Sequence, residues 1–97
     1  MSSININYSK AYAEANRLGT AANECDNIIN QSQRAVADLY TYWEGAAANE
    51  FLIANEKWRK EMQSIKVELI SISNSIKKVT DEIREADLRA AEAAKNL

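Results

Sequence analysis

Two stripes of apolar residues, each advancing by alternating steps of three and four, run through almost the whole chain. The first passes through Tyr8, Ala11, Ala15, Leu18, Ala22, Cys25, Ile29, Ser32, Val36, Leu39 and Trp43, and only Ser32 in it is clearly polar. Sustained over about five heptads, this spacing lines up one face of an α-helix. The second passes through Phe51, Ala54, Trp58, Met62, Ile65, Leu69, Ile72, Ile76, Val79, Ile83, Ala86, Ala90, Ala93 and Leu97. An extra residue between Trp58 and Met62 locally relaxes any supercoil. Ile28, Ala35, Ile53, Val67 and Ile70 lie off both stripes and widen the apolar faces beyond what a single helix pair needs.

The stripes break at Trp43-Glu44-Gly45, near the midpoint of a 97-residue chain that has two glycines and no proline. Together these features predict an all-α fold, one domain over residues 1–97. It is an antiparallel two-helix hairpin with helix one at about 8–42, a turn at 43–45 and helix two at about 46–94. Gly45 suits a left-handed position at the end of the first helix. Trp43 then lays its indole across the start of the second, and a core aromatic beside a turn glycine is an equal reading. Asn7 is placed to cap the first helix, with Ile6 stapling onto Ala11. Gly19 interrupts that helix at a cost of up to about 1 kcal/mol relative to Ala, marking a close approach or a slight bend.

The two helices differ in length. At about 1.5 Å per residue they span roughly 52 and 73 Å, so helix two overhangs. By this count residues 81–97 have no intramolecular neighbour. Their sequence is rich in Ala and charge, with Ile83, Leu88 and Leu97 the larger aliphatics. Pairs such as Glu85 with Arg89 add only a few tenths of a kcal/mol each, so the segment frays unless something binds it. A hairpin of this size cannot enclose a deep core, and its wide apolar faces predict dimerisation into a four-helix bundle. Leu18, Cys25, Ile29, Val36, Leu39, Phe51, Trp58, Met62, Ile65, Leu69, Ile72, Ile76 and Val79 form the packing and dimer seam.

Charge and composition narrow the function classes. Twelve basic residues intermixed with fourteen acids give a net charge of −2 and no basic stripe, which argues against nucleic acid as a partner. No apolar run approaches the roughly 18 residues of a membrane span, and the first residues form no signal peptide. A chain exported from the cytoplasm would leave folded or by a specialised route. There is no histidine, which removes the commonest general base and metal ligand. Cys25 stands alone on the apolar stripe as a small hydrophobe. Asp81, Glu85 and Asp87 lack a paired base and read as a solvated face. No catalytic site, metal or cofactor is expected.

The length, the helical flanks and the central Trp43-Glu44-Gly45 resemble the WXG-type, ESAT-6-like small proteins of bacterial type VII secretion. Ile4-Asn5-Ile6-Asn7-Tyr8 and Ala15-Asn16-Arg17-Leu18 are similar to Gram-positive members encoded with larger toxin-like substrates. The resemblance implies a secreted, non-enzymatic protein of a virulence-associated system, cytoplasmic before export. Its partners would be a second hairpin, the secretion ATPase and a toxin-like substrate. A homodimer is preferred to a heterodimer because the charge is balanced. The resemblance also implies a C-terminal export signal, Tyr-x-x-x-Asp/Glu. Here Asp87 supplies the acid but Ile83 stands where the tyrosine belongs; a looser form is met by Ile83, Asp87, Ala90 and Ala94. The alternatives are an intracellular adaptor or chaperone that captures a helix of a larger protein, and a purely structural coiled-coil module.

Overall fold

The computed structural model describes residues 7–97. Two helices account for nearly all of them, α1 (Tyr8–Leu39) and α2 (Ala46–Lys95), packed antiparallel into a rod 79 × 18 × 16 Å. The cap is where the sequence puts it. The Asn7 side chain accepts from the Lys10 amide at 3.0 Å, and the Asn7 carbonyl accepts from the Ala11 amide at 3.0 Å. The Ile6 staple lies outside the described residues.

The first helix stops at Leu39, a few residues before the expected 42. Tyr40 caps it in right-handed geometry (φ −62°, ψ −20°), and the amides of Thr41, Tyr42 and Trp43 tighten onto the carbonyls of Asp38 and Leu39. Gly45 has the expected positive φ, but at a different place. It precedes α2 at φ 77°, ψ −145°, and its carbonyl takes the first amide of that helix, from Asn49. The glycine therefore launches the second helix instead of closing the first. No other described residue has positive φ.

Small side chains dominate the contact between the helices. Ala15 and Ala22 are 0 % and 1 % exposed, with Cys25, Ile29, Val36 and Ala48 also buried. On α2 the facing line is Asn55, Met62, Leu69, Ser73, Ile76, Thr80 and Ile83, buried or half-buried. At Ala15 the backbones come close enough for the Ser73 hydroxyl to donate to the Ala15 carbonyl at 2.7 Å. Thr80 donates to Ile76 in its own helix at 2.6 Å. Among the described residues no buried side-chain nitrogen or oxygen lacks a partner. Among the described residues no large side chain is completely covered.

The half of the α2 stripe expected in the seam alongside Met62, Leu69 and Ile76 lies on its more exposed border. Phe51, Ile65, Ile72 and Val79 are 39 %, 46 %, 50 % and 51 % exposed. The reason is angular. Ser73 and Thr80 each follow Ile72 and Val79 by one residue, about 100° round the helix, and α1 sits over the polar line.

The two glycines respond oppositely to the same substitution, and in neither case does an added Cβ meet an atom within 4 Å. Gly19 marks no close approach, so Gly19→Ala should stabilise by about 1 kcal/mol through helix propensity. Gly45→Ala should destabilise by about 2 kcal/mol, because its backbone region is almost exclusive to glycine. Urea midpoints of the two variants at equal protein concentration should move in opposite directions.

Candidate functional site

Three surfaces hold the residues singled out by the sequence: the turn, one apolar edge of the hairpin and the far end of α2. At the turn, the tight backbone bonds from Leu39 bring Trp43 back over the start of α2. Its ring meets Phe51 edge-on, centroids 5.8 Å apart and planes at 75°, a geometry favoured by the ring quadrupoles. Val36, Leu39, Tyr40 and Ala48 complete a small pocket with them. Trp43 nevertheless stays 43 % exposed, and Glu44 and Gly45 are exposed beside it.

The hairpin has two unlike edges. Along one, Tyr8 and Tyr12 donate their hydroxyls to Asp87 and Asp81, and Lys66 pairs with Asp26 at 2.8 Å. These half-exposed bonds pin the register without adding much energy, since such an ion pair is worth at most about 1 kcal/mol. Along the other edge lie Ala21, Ile28 and Ala35 of α1 and Phe51, Trp58, Ile65, Ile72 and Val79 of α2, each set spaced by seven residues. Ile28 is 45 % exposed and Trp58 half-buried. A shallow groove runs beside Ile72, Ile76 and Val79. A continuous apolar strip of this length, with a charged opposite edge, is an unpartnered packing face.

The remaining seam residues divide by depth. Cys25, Ile29 and Val36 are buried, while Leu18, Leu39, Met62, Leu69 and Ile76 are half-buried between the helices.

The far end differs from the length count. Residues 81–97 were expected to be without intramolecular neighbours, yet Asp81 and Asp87 both accept from α1 tyrosines. The cause is side-chain direction: helix side chains lean toward their own N-terminus, so the phenols of α1 reach out along the overhang. Each aspartate holds its phenol's pKa above the ordinary value, through the hydrogen bond first and partial desolvation second. Of the candidate export residues, Ile83 is half-buried against α1, Asp87 is held by Tyr8, and Ala90 and Ala94 are exposed. The unaccompanied part of α2 is thus shorter than expected, beginning near Leu88, itself 61 % exposed.

Sequence reasoning missed the line Lys66, Ser73, Thr80 and Asp87, three members of which bond α1, and the pairing of Tyr8 and Tyr12 with acids 79 and 69 residues away. The signal was present in the seven-residue spacing of that line and the i,i+4 spacing of the tyrosines, but polar residues are not counted in an apolar stripe. Among the described residues no group of acids and cysteine is arranged to hold a metal ion, and no helix is long and apolar enough to cross a membrane.

A family model described as "WXG100: Proteins of 100 residues with WXG" matches residues 3–88. No curated protein matches the chain.

Trp43→Ala tests the turn. A fully buried aromatic truncated to alanine costs about 3–5 kcal/mol, but with Trp43 43 % exposed the loss in the isolated hairpin should be nearer 2 kcal/mol, part of it the Phe51 contact. Chemical denaturation monitored by far-UV circular dichroism measures it. A loss near the fully buried value would mean that a second chain covers the indole.

Proposed function

The chain belongs to the WXG100 family, the ESAT-6-like substrates of type VII secretion, and from that premise we propose that it is a non-enzymatic secreted substrate or targeting partner which works by helix–helix pairing. The apolar edge carries this reading. Phe51, Trp58, Ile65, Ile72 and Val79 form a strip that one hairpin leaves wet and two hairpins cover, giving a four-helix bundle. A second copy is the preferred partner, since the mixed surface charge presents no barrier to self-association, and a related hairpin encoded nearby is the alternative.

The far end of α2 supports the second half of the reading. Beyond Leu88 the helix is Ala-rich and charged, contributes no side chain to the contact with α1, and offers Ala90 and Ala94 on one face. A short exposed helix with a shallow apolar face suits docking into a groove, which we assign to the secretion ATPase. Members of this family leave the cell without a signal peptide, and we assign this chain the same route, in company with a toxin-like substrate where one is encoded beside it.

Light scattering should give twice the chain mass at tens of micromolar. Changing Ile65 and Ile72 together to Glu should return it to a monomer, because two buried unpaired charges raise the dissociation constant by a hundredfold or more, about 3 kcal/mol. Deleting residues 89–97 should leave helicity and mass intact while abolishing appearance of the untagged protein in culture medium. Retention in the cytoplasm of wild-type cells, with a larger protein bound, would favour the adaptor reading instead.

A further inference from the structure

The end of the molecule opposite the turn is built from both helices. Tyr8 and Tyr12 lie one turn apart on α1, so their phenols project in parallel. Tyr12, nearer the turn, bonds Asp81; Tyr8, farther from it, bonds Asp87. That order is the one an antiparallel pair requires. Between the two acids sits Ile83, half-buried. Beside them Tyr12, Asp81, Arg84, Glu85 and Leu88 line a shallow cleft.

These contacts change what the segment after Thr80 can present. Left to itself, it has helix propensity and weak i,i+4 pairs to order it. A hydroxyl donating to a carboxylate is stronger than a neutral hydrogen bond, and two of them bracket the stretch from Asp81 to Asp87. A phenol is protonated at neutral pH in any case, and the carboxylate beside each tyrosine moves its pKa further up, so both remain donors. A carboxylate has acceptor capacity beyond one bond, so Asp87 held by Tyr8 is still open to a partner's donor. A partner that reaches Ile83 and Asp87 must also touch the first turns of α1.

We infer that the docking surface at this end is a composite of two helices, in which the unaccompanied helix beyond Leu88 is extended by Ile83 and Asp87, and Tyr8 and Tyr12 are positioning residues that fix those two for recognition. This deepens the reading of the far end as the part recognised by the secretion ATPase, and it rests on that reading. The structural half stands separately: the hydroxyls hold the segment whether or not it is exported.

The full-length double variant Tyr8→Phe, Tyr12→Phe keeps both rings and removes both hydroxyls. Hydrogen exchange should quicken about tenfold across residues 81–88 and stay unchanged around Ala15, Ala22 and Ile29. Dimer mass and melting should not move. Secretion into the medium, and binding of the purified protein to the soluble part of the ATPase, should fall about tenfold. Unchanged exchange over residues 81–88 would overturn the clasp itself. Faster exchange with full secretion and binding would overturn the composite surface. Failure of the underlying reading looks different: wild-type secretion would survive deletion of residues 89–97, and the variant would still show the exchange change.

Discussion

Close contact between two helices through small side chains is the constraint from which the rest of this structure follows. Ala15 and Ala22 are completely covered, and the Ser73 hydroxyl reaches an α1 carbonyl across the contact. Beside the alanines the contact admits Ile29 and Val36 of α1, while α2 meets it with Ser73 and Thr80, and Ile65, Ile72 and Val79 lie on a more exposed edge. Burying an isoleucine or a valine is worth about 1.5–3 kcal/mol relative to leaving it wet. A row of them left partly wet is a large unspent driving force for association. The hairpin is thin because its contact is tight, and it leaves apolar side chains on an edge for the same reason.

The turn serves that geometry. Antiparallel helices held so closely need a short connection, and the chain makes one by ending α1 in right-handed turns over Leu39 and starting α2 from a glycine in a region closed to other residues. Trp43 is carried back onto Phe51 by the same bonds. Phe51 also begins the exposed ridge of α2, so the indole touches the first member of the strip that a second chain would cover. The tripeptide and the apolar edge are therefore one continuous surface, with the conformational role of Gly45 and the exposed face of Trp43 as two consequences of one bend.

Much of this was legible in the sequence, and the parts that were not share a cause. The three-and-four spacing gave both helices, the midpoint glycine gave the bend, and Asn7 gave the cap. The stripe on α2 was read as one seam, whereas the structure splits it, with Met62, Leu69 and Ile76 half-buried and Phe51, Ile65, Ile72 and Val79 more exposed. Periodicity finds a face but not which sector of it meets the neighbour. That sector was chosen by Ser73 and Thr80, small polar residues able to satisfy their hydroxyls on helix carbonyls. The overhang was misjudged for a related reason. Counting residues at 1.5 Å each measures backbones, and the contact to Asp87 is made by a side chain.

The two edges can then be given different work on physical grounds. Bonds along the edge of Tyr8, Tyr12, Asp26, Lys66, Asp81 and Asp87 are directional and specify register; each would be lost if the helices slid by a turn. The opposite edge is apolar, and burial of apolar surface is nondirectional, so it sets no register of its own. A protein that must keep one internal register while accepting a partner gains by separating these properties. Because α2 outruns α1, the specifying edge ends in a stretch where bonds to α1 give way to an unaccompanied helix. That transition, between Asp87 and Leu88, is where internal structure stops constraining the chain and an outside surface has room to begin.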